Sequence, residues 1–336
     1  MRTASVPTLL RWIRRQWLLV LLLGACAQAQ VCQDAQDMDA SVRTALETAA
    51  QRYFGMSASG DTAGLKENSI PSVAANFAGI EAAVRENRAA FSGAQATVRP
   101  PFLLTADGSQ PMARAEFLCG VFGPSGQTKD SAVFVLNNLP PGKYGVVILD
   151  VNGGAKALTL ILQQIGSDWR LAGYYATSSQ ADGHDAAWYA QRARDFKTRG
   201  ETHNAWLYYR EAIALATPVD FMSTLATDKL YDESQAVAPS DFPVNGKTVD
   251  LNAGGGSYRI TAIFPLAVGS DLDVIVKYEV ADVSNTAATF QENMALIKAL
   301  VGKFPELRDA FAGVVAHAVD PSGHDYGTLL AMKEIK

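Results

Sequence analysis

The sequence predicts an α+β protein with three parts: a cone-like domain of helices on a curved antiparallel sheet, a helical hairpin segment, and a second small α+β domain. Three observations carry this. Apolar residues recur at three- and four-residue spacing over 39–54 and 71–91, and the period changes to two after Gly93. Helical spacing returns over 185–237. Beyond 248, strand patterns flank a single helical stretch. Helices followed by hairpin-linked strands pack on one face of the sheet those strands form.

Taken in order, Val42, Leu46, Ala49 and Tyr53 make one apolar stripe, and the alanines around them favour helix. Ser59-Gly60-Asp61 is turn chemistry. A second helix is expected from Pro71 to Phe91, with proline in its first turn and Val73, Phe77, Ile80, Val84 and Phe91 in line. Strands are expected at 95–104, 113–122, 131–136, 144–151, 157–165 and 169–176, punctuated by Pro140-Pro141-Gly142, Asn152-Gly153-Gly154 and Gly166-Ser167-Asp168. A third helix of the middle segment is expected at 219–234, and 238–247 reads as a linker. The last domain, 248–336, is expected to hold strands at 248–251, 257–267 and 272–281, and a helix at 287–302. A closing hairpin, 314–319 with 326–332, turns through Asp320-Pro321-Ser322-Gly323.

The chain has 336 residues, 48% hydrophobic and 19% charged, with a net charge of −5. That composition argues against disorder and against a nucleic-acid partner, which needs a basic face. Residues 1–29 read as a signal peptide: Arg2, Arg11, Arg14 and Arg15 precede the apolar run Trp17 to Leu23, which is too short to span a membrane. Two processing routes stay open. Ala27-Gln28-Ala29 suits cleavage after Ala29. Leu23-Gly24-Ala25-Cys26 resembles a bacterial lipobox, which would make Cys26 a lipidated first residue and an outer-membrane anchor. Either way the protein is expected to be exported, periplasmic or extracellular, with no transmembrane span. Cys32 and Cys119 are then the pair left to form a disulfide in an oxidising compartment.

Helix, then Ser59-Gly60-Asp61 with Leu65, then strands ending in Gly166, Trp169-Arg170-Leu171-Ala172-Gly173-Tyr174-Tyr175, resembles the nuclear transport factor 2-like (cystatin-like) fold over about 36–178. The resemblance implies a pocket between helices and sheet, in which some members place a proton-transfer residue. Ala193, Phe196, Gly200, Ala205, Tyr209 and Ala212 resemble a single tetratricopeptide repeat over about 186–218. With no second copy of the repeat, the default is a helical connector packed on its neighbours; the sharper alternative is a groove presenting Trp188, Trp206, Tyr208 and Tyr209 to a peptide. The C-terminal domain resembles no family.

The candidates for chemistry are sparse. Glu116 alternates with Leu118 and Phe122 and is the candidate to face the first domain's cavity beside Arg114; a salt-bridged or solvated strand residue is the default, and Asp150 reads as a turn residue. If Val319 pairs with His324, then His317 and His324 share a face near Asp320 and Asp325, a donor set for a divalent metal; a solvated hairpin tip is the default. His203 is expected in an exposed loop and His184 at a helix cap. No Ser elbow or cysteine nucleophile signature is present, so no catalytic residue, metal or cofactor is assigned. The leading expectation is a non-catalytic binding protein with a protein, peptide or small apolar partner. The alternatives are a small-molecule enzyme of isomerase, dehydratase or hydrolase type using the first pocket, and a lipid-anchored structural component of the envelope.

Overall fold

The computed structural model describes residues 30–336 except 122–125, 245, 254 and 269–270; the segment read as a signal peptide, with Cys26, lies outside the described residues. The class is mixed α+β, as expected.

The N-terminal arm enters as strand β1 (Gln30–Gln33), followed by α1 (Ala40–Ser59), α2 (Thr62–Glu67), α3 (Pro71–Ala75) and α4 (Ala78–Phe91). Asp39 caps α1 by accepting from Ser41 N, and Gly60 ends it in the left-handed conformation, φ 77°. The helix expected over 71–91 is broken. Asn76 leaves helical geometry at φ −124°, and the break turns Phe77 into the core.

Eight strands follow: β2 (Ala96–Val98), β3 (Phe102–Ala106), β4 (Met112–Cys119), β5 (Ala132–Leu139), β6 (Gly142–Val151), β7 (Lys156–Ile165), β8 (Asp168–Ser178) and, as part of a two-residue hairpin, β9 (Gln180–Ala181). The strand expected at 95–104 divides into β2 and β3 because Pro100-Pro101 cannot donate to a ladder. The main sheet runs β1-β3-β6-β7-β8, antiparallel throughout, with β2 on the same edge of β6 as β3. One face carries Leu103, Val147, Leu149, Leu158, Leu160 and Leu162 against the helices. Gly145 lets α1 approach closely: a Cβ there would lie 2.1 Å from Leu46 Cδ2.

A single sheet does not hold all these strands. β4 and β5 leave it and form a second sheet with β11 (Met222–Thr224), in the order β11-β5-β4. This sheet covers the other face of the first, where Leu104, Tyr144, Val146 and Ile148 meet Phe117, Phe134 and Met222. Residues 30–178 thus stack helices, sheet and sheet. β11 also replaces the start of the helix expected at 219–234, leaving α7 as Leu225–Gln235.

The middle helices α5 (Ala186–Thr198) and α6 (Thr202–Ala216) pack on each other and on the C-terminal sheet in one core. They follow β10 (His184–Asp185), which pairs with β9. The C-terminal sheet has β12 (Val249–Ala253), β13 (Gly256–Val268), β14 (Asp271–Glu279), β15 (Gly313–Val319) and β16 (Asp325–Ala331) in chain order. Its β14–β15 pair is parallel, joined across α8 (Thr286–Lys303).

Cys32 and Cys119 are bonded, with Cα atoms 5.0 Å apart, joining β1 of the main sheet to β4 of the second. The bond closes a long loop in the unfolded chain. Reduction is expected to lower the unfolding free energy by about 4 kcal/mol in the chain-entropy model. A urea midpoint unchanged by reductant would contradict that. Ala205 is fully buried on α6; Ala205→Leu should destabilise by about 1–3 kcal/mol through overpacking, read as a fall in the thermal midpoint.

Candidate functional site

A cleft of about 550 Å³ opens where the two stacked sheets part, beside the disulfide. Five separated stretches of the chain build it: 34–43, 99–102, 129–132, 148 and 222–224. Asp34, Ala35 and Gln36 follow β1, and Arg43 comes from α1. Arg99 and Pro100 link β2 to β3, and Lys129 to Ala132 lead into β5. Phe102 and Ile148 from the main sheet and Met222 from β11 give the cleft an apolar interior. The volume lies within the roughly 300–1,000 Å³ of small-molecule sites.

The polar groups around it fall into two sets. Some are committed. Arg99 grips Asp150 with two nitrogens, Nε at 2.9 Å and Nη2 at 2.6 Å from the carboxylate. Asp150 is therefore an ion-paired strand residue opposite Thr97, not a turn residue. Ser131 Oγ donates to Gly120 O and accepts from Thr128 N, both at 2.8 Å. Thr224 Oγ1 caps α7 by accepting from Thr227 N. Asp34 Oδ1 accepts from Gln36 N and Asp37 N. Others are open: Arg43, Lys129 and Asp130 form no ion pair among the described residues, although Arg43 Nη1 donates to Ala35 O at 2.9 Å.

The residues singled out from sequence are elsewhere. Glu116 and Arg114 lie on the outer, solvent face of β4, 3.6 Å from each other; Ala115, Phe117 and Cys119 point inward instead. Glu116 therefore faces no cavity. Trp206, Tyr208 and Tyr209 are buried: Tyr208 donates to Ala310 O, and its ring packs on Phe196 and Phe311. They form core, not a peptide groove. Only Trp188 reaches solvent, 38% exposed, with His184 stacked on it at 3.7 Å. Asp185, not His184, caps α5.

The last hairpin pairs Val319 with Asp325, one residue off the expected register. A one-residue slip exchanges faces. His317 then bonds Asp325, Nδ1 to Oδ2 at 2.7 Å, over Gly327, while His324 turns to Ser322 at 2.9 Å. The two histidines do not converge, and among the described residues no group of three metal-ligating side chains forms. His203 is not exposed. Its two nitrogens face Glu306 and Asp241 at 2.7 and 2.9 Å, between the rings of Phe242 and Phe304.

Glu211 on α6 was not signalled by its spacing. It is 7% exposed and accepts no hydrogen bond among the described residues, and burial pushes its carboxyl up to about 7. The folded state holds this proton more tightly than the unfolded chain does. The resulting stability is present below the unfolded carboxyl range and is lost as pH rises towards and through about 7. Glu211→Gln is expected to stabilise by roughly 2–3 kcal/mol at pH 8 and to be near neutral at pH 4. Coincident urea curves at pH 8 would show that the carboxylate has a partner.

No helix among the described residues is long and apolar enough to cross a membrane. The chain matches no protein-family model, no curated protein and no solved structure.

Proposed function

We propose that this is an exported, non-catalytic binding protein that holds a small, largely apolar ligand in the cleft between its two stacked sheets. The observation that carries the reading is the cleft itself: a preformed space of about 550 Å³ with Phe102, Ile148 and Met222 inside it. Apolar area of that kind favours an apolar guest by roughly 25 cal/mol per Å² removed from water. The hydroxyl side chains of the lining are tied down. The Ser131 and Thr224 hydroxyls are held by backbone groups, and the described lining contains neither histidine nor cysteine.

Export rests on the basic, then apolar, first residues and on the disulfide, a bond that persists in oxidising compartments. The nuclear transport factor 2-like reading of 30–178 is kept as a proposal on the order of its helices and strands. In this chain the cleft opens between the two sheets rather than between helices and sheet.

The test is uptake of the neutral fluorophore N-phenyl-1-naphthylamine. The protein is expected to bind it. Ala132→Phe and Met222→Trp, which place bulk in the cleft, should each weaken binding by about tenfold or more, with far-ultraviolet circular dichroism unchanged. Undiminished binding by both folded variants would place the guest elsewhere and overturn the reading.

A further inference from the structure

We infer that the ligand of this cleft is a single-chain amphipathic anion: an apolar body with one carboxylate, sulfonate or similar head group, the head held by Arg43 and Lys129. The inference rests on the binding reading above and specifies its chemistry.

Arg43 is the starting point. Its residue is half-buried, yet its guanidinium lies within ion-pair distance of no carboxylate among the described residues. A guanidinium drawn out of water without an anionic partner carries a desolvation cost. It has five N–H donors, and the structure commits Nη1 to a single acceptor, Ala35 O. An anion in the cleft would relieve that cost.

The other charges around the cleft define where that anion sits. Arg99 is neutralised in place by Asp150. Asp34 is turned to the amides of Gln36 and Asp37. Lys129 and Asp130 are exposed and unpaired on the approach to β5. In the described lining the cations without a carboxylate partner are Arg43 and Lys129. The carboxylates of Asp34 and Asp130 equal them in number, so the head group is placed by the open N–H donors of these two side chains rather than by a net positive field. Below the cations, Phe102, Ile148 and Met222 offer no hydrogen-bonding side chain and suit a hydrocarbon or aromatic body. A charged head with an apolar body satisfies both halves of the cleft; a fully polar anion leaves the apolar surface wet, and a neutral apolar molecule leaves Arg43 unpaired.

A matched pair of fluorophores tests this. 1-Anilinonaphthalene-8-sulfonate carries the ring system of N-phenyl-1-naphthylamine plus one sulfonate. The protein is expected to bind the sulfonate about tenfold or more tightly than the neutral parent, the size of one charge-assisted hydrogen bond. Dodecanoate should displace it, and dodecan-1-ol should do so far less well. Arg43→Gln and Lys129→Gln are each expected to reduce the preference for the sulfonate while leaving affinity for the neutral parent unchanged. Lys129 is exposed, so its variant reports even if Arg43→Gln unfolds. Each measurement is made on protein with an intact cooperative melt, because loosened cores also take up this dye. Equal affinity for the two fluorophores, or a preference that survives both substitutions, would overturn the anion assignment while leaving the cleft as the binding site. Loss of neither fluorophore in folded Ala132→Phe and Met222→Trp would overturn the binding reading itself.

Discussion

The architecture depends on one constraint: the central strand β6 is apolar on both faces. Val147 and Leu149 point to the helices while Tyr144, Val146 and Ile148 point the other way, and all five are buried. A strand of this kind needs two covering layers. The helices between residues 40 and 91 supply one. The second must come from strands that leave the main sheet, and β4 and β5 do so, joined by β11 from some eighty residues further on. That long-range strand ties the middle segment to the first layers. The disulfide pins the same two sheets together near their parting edge.

The cleft follows from this stacking. Two twisted sheets do not stay in contact along their whole length. Where they part, the side chains that would otherwise fill the core line a space instead. Phe102 and Ile148 are continuous with the inter-sheet core, and Met222 reaches in from β11. Apart from Arg43 on α1, the charged residues around the cleft come from turns and strand ends, where such side chains are easily accommodated. Arg99 and Asp150 brace the β2–β3 corner against β6, so the mouth is held by an ion pair and by the nearby covalent bond. A site held this way needs little ordering when a ligand enters, which lowers the entropic cost of binding.

The C-terminal body solves a different problem. Its sheet buries one face under α8 and the α5–α6 pair, in a core rich in aromatic rings. Tyr189 and Tyr208 stay buried by donating their hydroxyls to Ala181 O and Ala310 O. His203 is clasped between Glu306 and Asp241, one after α8 and one in the segment read as a linker. Both of its ring nitrogens can donate to these carboxylates only when the ring carries two protons. Polar ties of this kind give the interface a defined geometry, since each group has few other places to find a partner.

Sequence alone determined the α+β class, the long first helix and most strands, because periodicity and turn residues act locally. It also pointed to the cysteine pair, because only two cysteines lie beyond the segment read as a signal peptide. The apolar runs Tyr144 to Leu149 and Ala157 to Leu162 carried a further signal: they are nearly continuous rather than alternating, which is the mark of burial on both faces. Cys119 carried another, since a buried disulfide partner sets the parity of β4 and turns Glu116 outward. Tertiary structure alone decided the rest. The burial of Trp206 and Tyr209, the strand at 222–224 and the gathering of Arg43 and Lys129 around one cleft all depend on segments far apart in the chain. Local spacing reports which face of an element is apolar; it does not report what will cover that face, and the cleft exists only where the covering layers come apart.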